Sequence, residues 1–156
     1  MPDMPVWLID TSVFLEILDV PGKASRHQQI ADEFIARYKD GHRFVLPLTT
    51  IIETGNHVAQ CGGDRRGAAR RFTTALRQAQ ETQPPWIIRD VQWDKARLDY
   101  LLTGDSTGSS LMDLLGDGRM GTGDVAILVE RDEFRSASNF TDVRIWTLEA
   151  TLNAYA

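Results

Sequence analysis

Short apolar runs that each lead into a stretch of helical periodicity constrain this chain more than any other feature. Val6-Trp7-Leu8-Ile9 ends in Asp10, and Phe44-Val45-Leu46-Pro47-Leu48 leads into Thr49 and Thr50. Trp86-Ile87-Ile88-Arg89 follows Pro84-Pro85, and Val143-Arg144-Ile145-Trp146-Thr147-Leu148 closes the series. Short apolar runs bounded by turn or cap residues suit buried strands. A helical pattern opens at Asp10-Thr11-Ser12, carries Phe14, Leu15 and Leu18, and stops at Pro21-Gly22. Residues 24–40 predict a second helix, with Ile30, Phe34 and Tyr38 spaced by four and Gly41 as its stop. Thr49 or Thr50 can cap a third helix running to Gln60. A fourth is predicted over Arg65–Gln80, with Ala68, Phe72, Leu76 and Ala79 on one face. Residues 91–102 return to helix, with Leu98, Leu101 and Leu102 as core candidates. Residues 103–123 read as loop, with six glycines and room for one helical turn at Leu111–Leu115. Asp124 opens a further apolar helix, and a short helix follows the last strand.

Strands alternating with helices predict an α/β domain built on a parallel sheet. In such sheets the functional site lies beyond the carboxyl ends of the strands, where the strand order reverses. The strand ends are therefore where chemistry is sought.

The length, 156 residues, suits a single domain over 1–156. At 42% hydrophobic and 25% charged the chain has globular composition, which excludes a disordered tail, a collagen-like repeat and a coiled coil. No apolar run is long enough for a membrane span. The N-terminal stretch lacks the basic region of a secretory leader. With Cys61 as the one cysteine there is no internal disulfide, and a reducing, cytoplasmic setting is expected. A net charge of −5 argues against binding nucleic acid through overall electrostatics, and leaves a local patch or a bridging metal. The basic residues are lopsided, 14 Arg against 3 Lys, and Arg65, Arg66, Arg70, Arg71 and Arg77 fall within 13 residues. That stretch is either an RNA-tracking face or a solvated helix face.

Four acids occupy positions that an open α/β sheet would bring together. Asp10 ends the first strand, Glu53 lies early in the helix after the second, Asp124 starts the helix after the glycine-rich loop, and Glu149 follows the last strand. Such a cluster is relieved by protons or by a hard divalent cation, and Mg²⁺ and Mn²⁺ prefer oxygen ligands. A carboxylate-held cation supports phosphodiester hydrolysis. Each acid alone has a second reading: Asp10 as a helix N-cap, Asp124 as a partner of the helix dipole, Glu53 as an exposed glutamate, Glu149 as a first-turn residue. The signal is in the combination. Asn56 and His57 lie three and four residues beyond Glu53 and share its helix face, where they can position water, phosphate or a nucleotide. Asp113 and Asp117 are spare carboxylates in the loop. No Cys/His spacing suits zinc, and no nucleophile elbow or Walker loop is present.

In these residues the chain resembles the PIN-domain ribonucleases, best known as the toxin half (VapC type) of bacterial toxin–antitoxin pairs. The match runs through Val6-Trp7-Leu8-Ile9-Asp10-Thr11-Ser12, Leu48-Thr49-Thr50-Ile51-Ile52-Glu53, Gly121-Thr122-Gly123-Asp124-Val125-Ala126-Ile127-Leu128 and Ile145-Trp146-Thr147-Leu148-Glu149, in order along the chain. The resemblance implies a three-layer α/β/α domain with a central parallel sheet of four or five strands. It implies an acidic pocket holding Mg²⁺ or Mn²⁺ that hydrolyses RNA, with Asp10, Glu53 and Asp124 as metal ligands and Thr11 or Ser12 as a supporting hydroxyl. Thr147 precedes the fourth acid, an aspartate in the family's pattern and Glu149 here. Glutamate is one methylene longer, so it either reaches the metal through water or leaves three ligands. The implied partners are an RNA substrate, a small antitoxin protein and a second copy of the chain. Two alternatives share the scaffold: a catalytically weak PIN module that binds nucleic acid or protein, and a DNA nuclease using the same acids.

Overall fold

The structure is a computed structural model that describes residues 4–89 and 91–156. The first three residues of the N-terminal stretch read above lie outside the described residues. Three strands, β1 (Val6–Ile9), β2 (Arg43–Val45) and β3 (Val143–Trp146), form a parallel sheet in the order β2–β1–β3. Leu8 stands opposite Val45 on one side and Ile145 on the other. The alternation of a strand sends Ile9, Phe44, Leu46 and Trp146 to one face, and Val6, Leu8, Val45, Val143 and Ile145 to the other. Both sets are buried, so both faces need helices.

The first face is covered by α1 (Thr11–Ile17), α2 (His27–Lys39), α3 (Leu48–Gln60) and α4 (Arg65–Gln78), which contribute Phe14, Ile30, Val58 and Ala68 to that core. An aromatic cluster fills it. Phe34 lies 4.6 Å from Phe44 and 5.3 Å from Trp86, centroid to centroid, and the Trp86 indole N–H donates to the Ala75 carbonyl. At its edge the Arg37 guanidinium sits 4.1 Å from the ring centroids of both Trp7 and Trp146. The second face is covered by α5 (Lys95–Thr103), α6 (Leu111–Gly116), α7 (Thr122–Ala137) and α8 (Ala150–Asn153), which contribute Leu101, Leu114, Leu128 and Leu152. The result is an α/β domain of three layers.

The sheet is narrower than the expected four or five strands. Among the described residues it has three, and Trp86–Arg89 adds a single parallel bridge, Val45 with Ile87. Ile87 N–H donates to Phe44 O and Leu46 N–H donates to Ile87 O, and the pairing goes no further. Pro84 and Pro85 have no N–H to extend it backwards. Leu98 and Leu102 also depart from expectation. Each is 52% exposed while Leu101 is buried, because α5 packs chiefly against α6 and α7 and turns only its Leu101 face toward that core. The helix after β2 has Pro47 at its cap position, not Thr49 or Thr50. The Thr50 hydroxyl is buried and donates instead to Ile9 O at 2.7 Å, tying α3 to the end of β1. No helix among the described residues is long and apolar enough to cross a membrane.

Candidate active site

The strand order reverses beside β1, and the acids gather beyond the carboxyl ends of β1 and β3. Asp10 follows β1 directly. Its backbone N–H donates to Trp146 O, and its carbonyl starts α1. It occupies the N-cap position, but its carboxylate makes no capping bond. Oδ2 instead accepts from the Ser12 hydroxyl and the Thr147 hydroxyl, each at 2.8 Å. Ser12 Oγ in turn accepts the Leu148 N–H, and Thr147 Oγ1 accepts the Glu149 N–H. Two hydroxyls thus fix one carboxylate oxygen and tie the start of α1 to the end of β3. Of the two hydroxyls expected beside Asp10, Ser12 is the one that bonds its carboxylate. Thr11 Oγ1 is buried with no hydrogen-bond partner.

Asp10, Glu53, Asp124 and Glu149 all line one cleft of about 340 Å³, together with Ser12 and His57. They come from four separate stretches: the β1 end, α3, the first turn of α7, and the residue before α8. α7 is held firmly, since every residue from Val125 to Arg131 is buried. Gly123 makes the close approach of Glu53 possible, because a Cβ there would stand 2.1 Å from Glu53 Oε1.

Crowding of like charges is written in the proton affinities. Burial pushes the Asp124 carboxyl up to about 7, helped by the charges of Glu149 and Asp10, by a hydrogen bond with Glu149, and by Glu53. Glu53 is raised too, by burial first and then by the charges of Asp10 and Glu149. A second carboxyl, Glu130, is also pushed up to about 7, by burial first and with the Glu133 charge adding to it against Arg97 and Arg89, and it lines no part of this cleft. What marks the acidic site is that two half-buried carboxyls, Asp124 and Glu53, are both raised and both feel the charges of Asp10 and Glu149.

Among the described residues no three His, Cys, Asp or Glu side chains converge as a ready ligand set for a metal ion. The donor chemistry nevertheless fits a hard divalent cation. The four acids offer only oxygen ligands, one of them oriented by two hydroxyls, and repulsion among them is what a cation would relieve.

Not every expected residue lies in the cleft. His57, four residues after Glu53, keeps to the cleft side of α3, whereas Asn56 is exposed and outside the lining. Of the α4 arginines none lines it. Arg65 donates to Cys61 O, and Arg71 donates to Leu18 O and Asp19 O, so both guanidinia brace backbone. Arg70 and Arg71 line a separate cleft with Trp86, and Arg66 is exposed. Asp113 lies outside the cleft, and Asp117 pairs loosely with Arg119 at 3.6 Å. The cations that do border the acids are Lys23 and Arg26, from the α1–α2 loop, and Arg119, from the α6–α7 loop. Glu16 joins them as a fifth acid in the wall. These four went unread because each lies in an unpatterned loop or inside an apolar helix, with no motif to mark it.

No protein-family model, no curated protein and no solved structure matches this chain.

Proposed function

We propose that this protein is a divalent-cation-dependent nuclease that hydrolyses RNA phosphodiester bonds at the acidic cleft. The observation that carries the reading is the meeting of Asp10, Glu53, Asp124 and Glu149, from four distant parts of the chain, in one cleft where burial and the neighbouring charges raise the proton affinity of Glu53 and Asp124. Proteins do not assemble repelling carboxylates at a strand-end switch point without a counter-ion or proton chemistry to match.

Asp10, Glu53 and Asp124 would hold Mg²⁺ or Mn²⁺, with Glu149 reaching it directly or through water. A cation so held activates water and binds a phosphate oxygen. The chain's own residues do the rest. Ser12 and Thr147 fix the orientation of Asp10. Without a cation the Asp124 carboxyl is held up to about 7 by burial and by the neighbouring acids, so cation binding would displace its proton and should strengthen as pH rises through neutrality. His57, on the same wall as Glu53, is placed to orient a phosphate or the leaving oxygen.

The four short motifs that resemble PIN-domain ribonucleases support the same chemistry. They extend the proposal to a toxin-like role in the cytoplasm, with a small antitoxin protein and a second copy of the chain as partners. The test is cleavage of labelled RNA with Mn²⁺ or Mg²⁺. Asp10→Asn should lower the rate by about a hundredfold or more, and chelator should abolish it. Absence of cleavage by the folded wild type would favour the alternative of a binding module on the same scaffold.

A further inference from the structure

The acidic cleft is not closed on its far side. Asp124 and Glu149 line it and also line a second cleft of about 610 Å³, whose other walls include Gly118, Arg119, Gly121 and Thr151. The two clefts therefore meet at these carboxylates. A Cβ built on Gly118 or Gly121 would meet nothing within 4 Å, so this wall is open backbone. The first cleft carries Lys23 and Arg26 on its rim, the second carries Arg119, and all three are exposed.

The α1–α2 loop is fixed in place. Glu16 is only 4% exposed, and its carboxylate accepts the Ser25 N–H at 3.2 Å and the Arg26 N–H at 2.8 Å. His27 Nδ1 lies 2.6 Å from Glu16 O. Neither Lys23 nor Arg26 makes an ion pair among the described residues, and Arg119 has only the loose contact with Asp117. A chain of net charge −5 needs local cations to hold a polyanion, and these three flank the acids.

We propose that a single strand of RNA lies through both clefts and across the acids. Lys23 and Arg26 bind the backbone phosphate on one side of the bond to be cut, and Arg119 binds the phosphate on the other. Glu16 is a positioning residue for the first pair. The proposal rests on the nuclease reading and moves the backbone track from the α4 arginines to the two loops.

The experiment is cleavage of a labelled single-stranded oligoribonucleotide with Mn²⁺ at increasing KCl, for wild type and the triple variant Lys23→Ala, Arg26→Ala, Arg119→Ala. These side chains are exposed, so the variant should fold, and its melting curve checks this. KM should rise about tenfold with kcat little changed, and the slope of log(kcat/KM) against log[salt] should flatten by about 2, as expected for three lost cations on a single strand. Arg119→Lys and Arg26→Lys should restore most of the slope. Wild-type cleavage with an unaltered KM and slope in the triple variant would overturn the track and leave the nuclease reading standing. A slope that changes in Arg66→Ala, Arg70→Ala instead would overturn it in favour of α4. A wild type that cleaves nothing would remove the nuclease reading on which it rests.

Discussion

Asp124 carries the sharpest electrostatic consequence of the four acids in the cleft. Its carboxyl is pushed up to about 7 from an ordinary 3.8, so the folded protein holds a proton that the unfolded chain releases. Stability from this group is then full below pH 3.8, falls as pH rises toward about 7, and stays low above it. Asn at this position has no charge to bury. In chelator at pH 8, Asp124→Asn should be more stable than wild type by about 1–2 kcal/mol, a figure reduced for the solvent screening of a half-buried group. The gain should shrink as pH falls toward 4. Thermal melts across that range check it, and a variant that melts below wild type at pH 8 would contradict the repulsion. The same substitution should abolish cleavage, because the group that destabilises the fold is the one the chemistry needs.

At the scale of elements, the start of α7 is fitted to the carboxylate of α3. Gly123 lies in the first helical turn, where alanine would ordinarily stabilise by about 0.5–1 kcal/mol. Here the added Cβ would fall 2.1 Å from Glu53 Oε1, the mobile end of a side chain, so Glu53 swings away and the backbone stays. Gly123→Ala should therefore keep or raise the melting temperature while lowering the cleavage rate by about 10–100-fold. A loss of stability without loss of activity would show that Glu53 has no need of this position.

The same scale explains what was legible in the sequence. Asp10, Asp124 and Glu149 sit where a strand or loop gives way to a helix, and such junctions can be read from periodicity alone. Glu53 was legible because the helix around it is otherwise apolar. Lys23, Arg26 and Arg119 were not, since their place depends on how loops fold back, and for the first two on a buried Glu16 binding two N–H groups. Clustering of the α4 arginines in sequence says nothing of what each guanidinium faces: Arg65 and Arg71 face carbonyls, and none of them lines the acidic cleft. The edge of the sheet was over-read because an apolar run after two prolines looks like a strand but pairs at one residue.

For the whole molecule, the charges are divided: acids meet at the strand ends, cations stand on the rims, and the net charge is −5. An RNA strand must pass over the acids, so a bound cation should govern affinity as well as rate. With Asp10→Asn to prevent cleavage, RNA affinity in Mn²⁺ should exceed that in chelator, and equal affinity in a variant shown to retain Mn²⁺ would count against the arrangement. All of this depends on the acids being a cation site. The most direct measurement is Mn²⁺ binding to the wild type at pH 7.5 by electron paramagnetic resonance of the free ion. Saturable binding should be weakened strongly in Asp124→Asn and Glu53→Gln. Folded wild-type protein that takes up no Mn²⁺ at millimolar concentration, or variants that bind it as well as wild type, would contradict the account.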